Sequence, residues 1–248
     1  DALDENDLRR IALAGLAAES IGRRLLYRTS PGLLRARLGQ EPHPPLEQGE
    51  LRAAILRAKP ATEHGLVVVG SHVPLSSRQL ADLLRTDHTI EHVVLDVPSL
   101  LEPATAQRTI ADLIDLATVA LRTHDVVLST SRERIDGADG DASLHIARRV
   151  SMAIVTVTAE IVRRARPSFV VGKGGITSSD LATGAIGLQR ATILGSVLPG
   201  MISLWQSGDP GLSGASPTPY AVFPGNVGDD SALTRVVSAF RAAAKSTG

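Results

Sequence analysis

No cysteine occurs in the 248 residues. Disulfides, thiolate nucleophiles and cysteine-ligated zinc are thereby excluded, and the absence fits a reducing compartment, so a cytoplasmic location is expected. Aromatic residues make up only 2%, and formal charge balances at +0. A nucleic-acid surface wants clustered cations and stacking rings, and this chain offers neither. Lysine is nearly missing: Lys59, Lys173 and Lys245 are the only three, and arginine supplies the remaining positive charge. No apolar run reaches the roughly 18–20 residues of a membrane span, so no membrane partner is expected. The acidic opening, Asp1-Ala-Leu-Asp-Glu-Asn-Asp, is unlike a signal or transit peptide. The first residue is not Met, which points to a trimmed chain or a piece of a longer one.

What is present is ordinary for a globular protein: 43% hydrophobic and 21% charged residues. Residues 7–26 carry apolar side chains at helical spacing (Leu8, Ile11, Leu13, Leu16, Ile21, Leu25), and an extended exit follows through Tyr27 to Pro31. That stripe needs a cover, and a homodimer contact is one expectation. Gly39 to Pro45 holds three prolines in four residues, which cannot continue a helix. A domain boundary is expected there, with 1–40 as a helical segment and 41–248 as the main domain. Beyond it the pattern becomes regular. Helices are expected over 47–58, 76–85, 102–123, 143–164, 180–188 and 232–244. Strands are expected over 66–71, 92–97, 125–130, 169–172, 191–195, 201–205 and 219–223, and a surface loop over 208–219. Continuous apolar strands alternating with amphipathic helices predict an α/β fold, a mostly parallel sheet covered on both faces. In such sheets ligands bind beyond the carboxyl ends of the strands.

Three of those strand ends look alike. Gly70-Ser71-His72 follows the first, Gly172-Lys-Gly-Gly-Ile-Thr177 the fourth, and Pro224-Gly-Asn-Val-Gly228 the last. Around Gly174 and Gly175 a strand runs into a glycine-rich turn and then a helix, with Thr177, Ser178 and Ser179 as candidate N-caps. Free amides at a helix start point at negative charge, and glycines let a ligand approach the backbone. A phosphate site is therefore expected. The turn matches G-x-G-x-x-G only to its second glycine, lacks a ribose carboxylate downstream, and is not a Walker A loop. Lys173 offers a point charge to a phosphate or a solvated loop side chain. His72 suits a general base or a structural role. Asp230 is a natural cap for the last helix, with Mg²⁺ binding as the second reading. Ser129, Thr130 and Ser131 end the third strand and are candidates to line the crevice. Asp136-Gly-Ala-Asp-Gly-Asp141 has the wrong spacing for a calcium loop, whose twelfth position here is Ala147.

Val67-Val-Val-Gly-Ser71 with Gln79-Leu80, Gly174-Gly-Ile-Thr177 and Phe223-Pro-Gly-Asn-Val-Gly228 together resemble the four-carbon acid sugar kinase family. The resemblance runs from about Gly65 to the C-terminus, and Tyr27-Arg-Thr29 is similar to the close of that family's N-terminal domain. It implies a C-terminal domain that binds ATP through Ser71, Gly174, Gly175, Ile176, Thr177 and Gly225, with Asn226 closing the other side of the crevice. It implies phosphoryl transfer, with Mg²⁺, to a tetronate or 3-oxo-tetronate held by an N-terminal domain. Two departures stand out. Ile176 occupies a position that is usually acidic, and these residues hold no counterpart of the acid-sugar site. The expectation is a nucleotide-binding half whose acceptor half and catalytic base lie elsewhere, with residues 1–40 as the remnant of the substrate domain. A non-catalytic nucleotide or effector module on the same sheet is the alternative. A dinucleotide-dependent oxidoreductase is disfavoured by the broken glycine fingerprint.

Overall fold

A computed structural model describes residues 2–132, 135, 137–200, 202–207 and 216–245. Most of the expected 208–219 loop, and Asp136 of the acidic segment, lie outside the described residues. The chain divides into two compact units, 1–44 and 45–248.

In the first unit α1 spans Glu5–Ser20, and Asp4 caps it by accepting from the Asp7 amide at 2.9 Å. It stops short of the expected 26 because Gly22, at φ 86°, closes the last turn in the left-handed conformation. The expected extended exit ends at Pro31, which starts α2 (Pro31–Arg37) as a preset first helical residue. Ion pairs Arg35–Glu5 and Arg37–Glu19 tie the two helices. Tyr27 lies against Gly15, where a Cβ would stand 2.3 Å from the phenol oxygen.

The second unit is built on seven strands: β1 Leu66–Val69, β2 Glu91–Leu95, β3 Val126–Thr130, β4 Val170–Lys173, β5 Ala191–Leu198, β6 Ile202–Ser207 and β7 Tyr220–Phe223. Their order is β2-β3-β1-β4-β7-β6-β5. The first five run parallel, while β6 and β5 are antiparallel. Only three residues, 199–201, separate β5 from β6, and so short a link can only send the chain back antiparallel. The helices are α3 Gln48–Ala58, α4 Pro74–Thr86, α5 Val97–Leu101, α6 Ala106–Ala120, α7 Gly140–Ala165, α8 Gly175–Asp180 and α9 Ala232–Lys245. The fold is α/β, with a mostly parallel sheet between two helical layers.

Strand alternation sorts the core into two layers. Leu66, Val68, Val126, Leu128 and Val170 pack with α6 and α7. Val67, Val69, Val127 and Val171 pack with α3, α4 and α9. The helix expected over 102–123 is shorter, Ala106–Ala120, and the separate α5, Val97–Leu101, precedes it. Asp96 caps α5 by accepting from the Ser99 amide at 2.9 Å. Glu102 then turns extended (ψ 117°) because it precedes Pro103, and α6 starts only at Ala106. Asp139 caps α7 through the Ala142 amide at 2.7 Å, which gives this acidic segment a structural role.

Candidate functional site

β1 and β4 are neighbours whose helices leave on opposite faces of the sheet. Leu80 and Leu83 of α4 pack in one layer. Leu181 and Ala182, in a π turn (Leu181–Ala185) that continues α8, pack in the other. Adjacent strands that send their chains to opposite faces open a crevice at their carboxyl ends.

The three glycine-bearing strand ends meet there. A Cβ on Gly174 would stand 2.7 Å from Ser71 Cβ and 3.4 Å from Thr177 Oγ1. One on Gly225 would stand 3.3 Å from Ser71 Oγ and 3.7 Å from Gly174 Cα. One on Gly70 would strike Thr177 Oγ1 at 2.6 Å. Ser71, Gly174, Thr177 and Gly225 therefore surround one point. Gly175 and Ile176 stand at its edge: a Cβ on Gly175 meets nothing within 4 Å, and Ile176 is 79% exposed. Asn226 is exposed in the turn after β7.

The helix begins earlier than expected. Gly174, at φ 115°, is its cap, and Thr177, Ser178 and Ser179 lie inside α8 rather than capping a later helix. The Gly174 amide donates to Phe223 O and the Ser178 amide to Gly174 O, each at 2.8 Å. The uncommitted amides are those of Gly175, Ile176 and Thr177, which as a first helical turn have no intrahelical acceptor. The glycines serve different ends. Gly172 makes room for Tyr220, since a Cβ there would lie 2.1 Å from the phenol oxygen. That phenol donates to Ser178 O at 2.8 Å, and burial pushes its pKa up.

Lys173 is not a solvated loop side chain. It is fully buried, donates to Pro224 O at 2.6 Å, and lies 4.0 Å from the centre of the Phe223 ring. Burial pulls its pKa down to about 8. Two more buried side chains hold the same turn: Ser76 Oγ donates to Gly225 O, and Gln79 Nε2 to Val227 O and Asp229 O, at 2.7–3.1 Å. The carbonyls of Pro224, Gly225, Val227 and Asp229 are thus all engaged from within.

Beside Ser71 a cavity of about 540 Å³ opens, walled by Val73, Ile146, Val150, Ile154 and Leu181. Its polar groups include Ser71, His72, Thr177 and Asp180, the last bonded by Ser151 Oγ. The volume and apolar lining suit a small organic ligand. His72 Nε2 is 3.3 Å from Thr130 Oγ1. Ser129 and Ser131 do not line the cavity: Ser129 Oγ meets His92 Nε2 at 2.9 Å, and Ser131 Oγ accepts from the Val97 amide at 3.2 Å. Asp229, rather than Asp230, closes the start of α9, accepting from the Ser231 amide at 3.1 Å, while Asp230 pairs with Arg78. One residue after the serines flagged in the sequence stands Arg132, whose Nη2 donates to Ser71 O at 2.7 Å and Ser77 Oγ at 2.6 Å. The strand-end rule that singled out Ser129 to Ser131 reaches it if carried one residue further.

Among the described residues no group of three His, Asp or Glu side chains is placed to hold a metal. Among the described residues, too, no helix is long and apolar enough to cross a membrane.

Residues 66–233, more than half the chain, match the model of the nucleotide-binding C-terminal domain. No curated protein sequence matches the chain. Among solved structures, a Bordetella bronchiseptica protein described as a domain of unknown function (DUF1537), a domain-swapped dimer with bound citrate, is similar at 23% identity and TM-score 0.60. The match covers 97% of this chain and 52% of that one. A Haemophilus influenzae DUF1537 protein is similar at 18% identity and TM-score 0.55, over 97% of this chain and 52% of its own. The chain spans about half the length of these structures. With the crevice, the strand-end glycines and the matched span in agreement, the chain belongs to the family of the nucleotide-binding C-terminal domain.

Proposed function

We propose that this chain is the ATP-binding part of a kinase that phosphorylates a four-carbon acid sugar of the 3-oxo-tetronate, threonate or erythronate type. The observation that carries the reading is the meeting of Ser71, Gly174, Thr177 and Gly225 around one point beside an apolar cavity. Phosphoryl transfer needs positioning and charge neutralisation more than covalent chemistry from the protein. In this reading the amides of Gly175, Ile176 and Thr177 take phosphate oxygens, and Ser71 Oγ bonds phosphate or ribose. Gly225 and Asn226 close the far side, and the cavity takes the apolar face of the base. Magnesium would arrive on the phosphates, because no carboxylate cluster among the described residues waits for it. The acid sugar and the catalytic base belong to a substrate domain, of which residues 1–40 are the remnant.

A homodimer fits the same reading: Ile11, Leu13 and Leu16 of α1 are exposed, and the Bordetella bronchiseptica neighbour is a domain-swapped dimer. The exposed Ile176, where an acidic residue is usual, supports a second reading as a non-catalytic nucleotide module. A thermal-shift series with ATP, ADP and NAD, with and without Mg²⁺, tests both. ATP and ADP are expected to raise the melting temperature, and NAD is not. No shift with any adenine nucleotide overturns the assignment. Phosphate transfer to a tetronate once a substrate domain is supplied separates the kinase from the silent module.

A further inference from the structure

Two partly buried arginines are paired with carboxylates. Arg241 meets Asp125 and Asp87, and Arg37 meets Glu19. Arg132 is different. Only its Nη2 is used, on Ser71 O and Ser77 Oγ. Its Nε and Nη1 are buried with no hydrogen-bond partner, and among the described residues no carboxylate pairs with it. Burial alone perturbs it, with no opposite charge to compensate. An uncompensated guanidinium is costly to bury, and such a group persists where something else calls for it.

Its position says what calls for it. Ser71 O, which it grips, belongs to the residue whose side chain faces Gly174 and Gly225. The second buried cation of the crevice, Lys173, is by contrast satisfied by Pro224 O and the Phe223 ring. A planar guanidinium beside the residue that faces the glycines puts a fixed positive charge next to where phosphate oxygens would sit.

We propose that Arg132 is a phosphate-recognition residue of this crevice: it holds Ser71 in its binding orientation and supplies the positive charge that a nucleoside polyphosphate neutralises. The inference rests on the nucleotide reading above. It adds a residue and a preference, for di- and triphosphates over monophosphate, that Ser71 and the glycines alone do not impose.

The test is calorimetric titration of the full chain with AMP, ADP and ATP in the wild type, Arg132→Met and Arg132→Lys. In the wild type each added phosphate is expected to tighten binding. In Arg132→Met that gain should shrink at least tenfold between AMP and ATP, on top of any loss that AMP itself suffers from a displaced Ser71. Arg132→Lys, which keeps the charge and loses the fork, should fall between. A merely structural arginine would weaken all three nucleotides by one common factor, and that result, or an unchanged series, overturns the proposal. If Arg132→Met does not fold, Arg132→Lys decides alone: an unchanged AMP-to-ATP gain refutes the role. A wild type that binds no adenine nucleotide sinks the underlying reading, whereas normal wild-type binding with a flat Arg132 series sinks only this inference.

Discussion

Gly175 and Gly225 probe the crevice more cleanly than Gly174. A Cβ at Gly175 meets nothing, and one at Gly225 only approaches Ser71 Oγ at 3.3 Å, whereas Gly174 needs φ 115° for itself. Gly175→Val and Gly225→Val should therefore fold with melting temperatures near wild type, yet bind ATP at least tenfold more weakly by calorimetry. Wild-type affinity in both would remove the phosphate site from this loop. Lys173 gives a second residue-scale prediction. Its folded pKa, about 8, lies below the unfolded 10.5, so the unfolded chain holds more protons between those values and folding becomes more favourable as pH rises through them. Compared with Lys173→Met, the wild type should gain up to about 3 kcal/mol of relative stability from pH 7 to 10.5, at about 1.4 kcal/mol per pH unit. Parallel denaturation curves across that range would contradict it. The sequence could not distinguish a loop lysine from a buried one, because the decision depends on Phe223 and Pro224, fifty residues away. Arg132 was hidden for the same reason: its partners are Ser71 at another strand end and Ser77 in α4.

At the scale of elements, the strands were legible because four-residue apolar runs such as Leu66 to Val69 leave little choice but a buried parallel strand. Helix boundaries were less so. α5 was not anticipated although Asp96 caps it, and α6 starts four residues later than expected because Glu102 precedes Pro103. The start of α8 at Gly175 was masked by serines and threonines that resemble caps but sit within the helix. α9 is anchored to the sheet in a way no periodicity reveals. Arg241 bonds Asp125 at 2.6–2.7 Å and also reaches Asp87, while Asp125 Oδ1 accepts from the Gly65 amide at 2.7 Å. Asp125 is 2% exposed. Arg241→Met leaves that carboxylate buried without its guanidinium, facing only the Gly65 amide and the His64 ring at 3.7 Å, a change expected to cost about 3–5 kcal/mol in urea unfolding. A loss under 1 kcal/mol would show that the carboxylate finds water or another donor.

For the whole molecule, both apolar layers and every crevice residue fall within 45–248. That segment expressed alone should unfold cooperatively and bind ATP within about threefold of the full chain. Failure to fold, or loss of affinity, would show that residues 1–44 complete the nucleotide site. The order of the sheet could not be read from one sequence, since pairing of β1 with β3 and β4 is a long-range choice. That the glycine-bearing ends would converge was readable, because parallel strands put their carboxyl ends on one edge. The turn from Pro224 to Asp229 carries that logic into kinetics. With four of its carbonyls already engaged by Lys173, Ser76 and Gln79, the turn is set before any nucleotide arrives. Its ordering entropy is charged to folding, so capture at this side of the crevice is an encounter with a rigid wall, limited by diffusion and orientation and not by a loop that must first close.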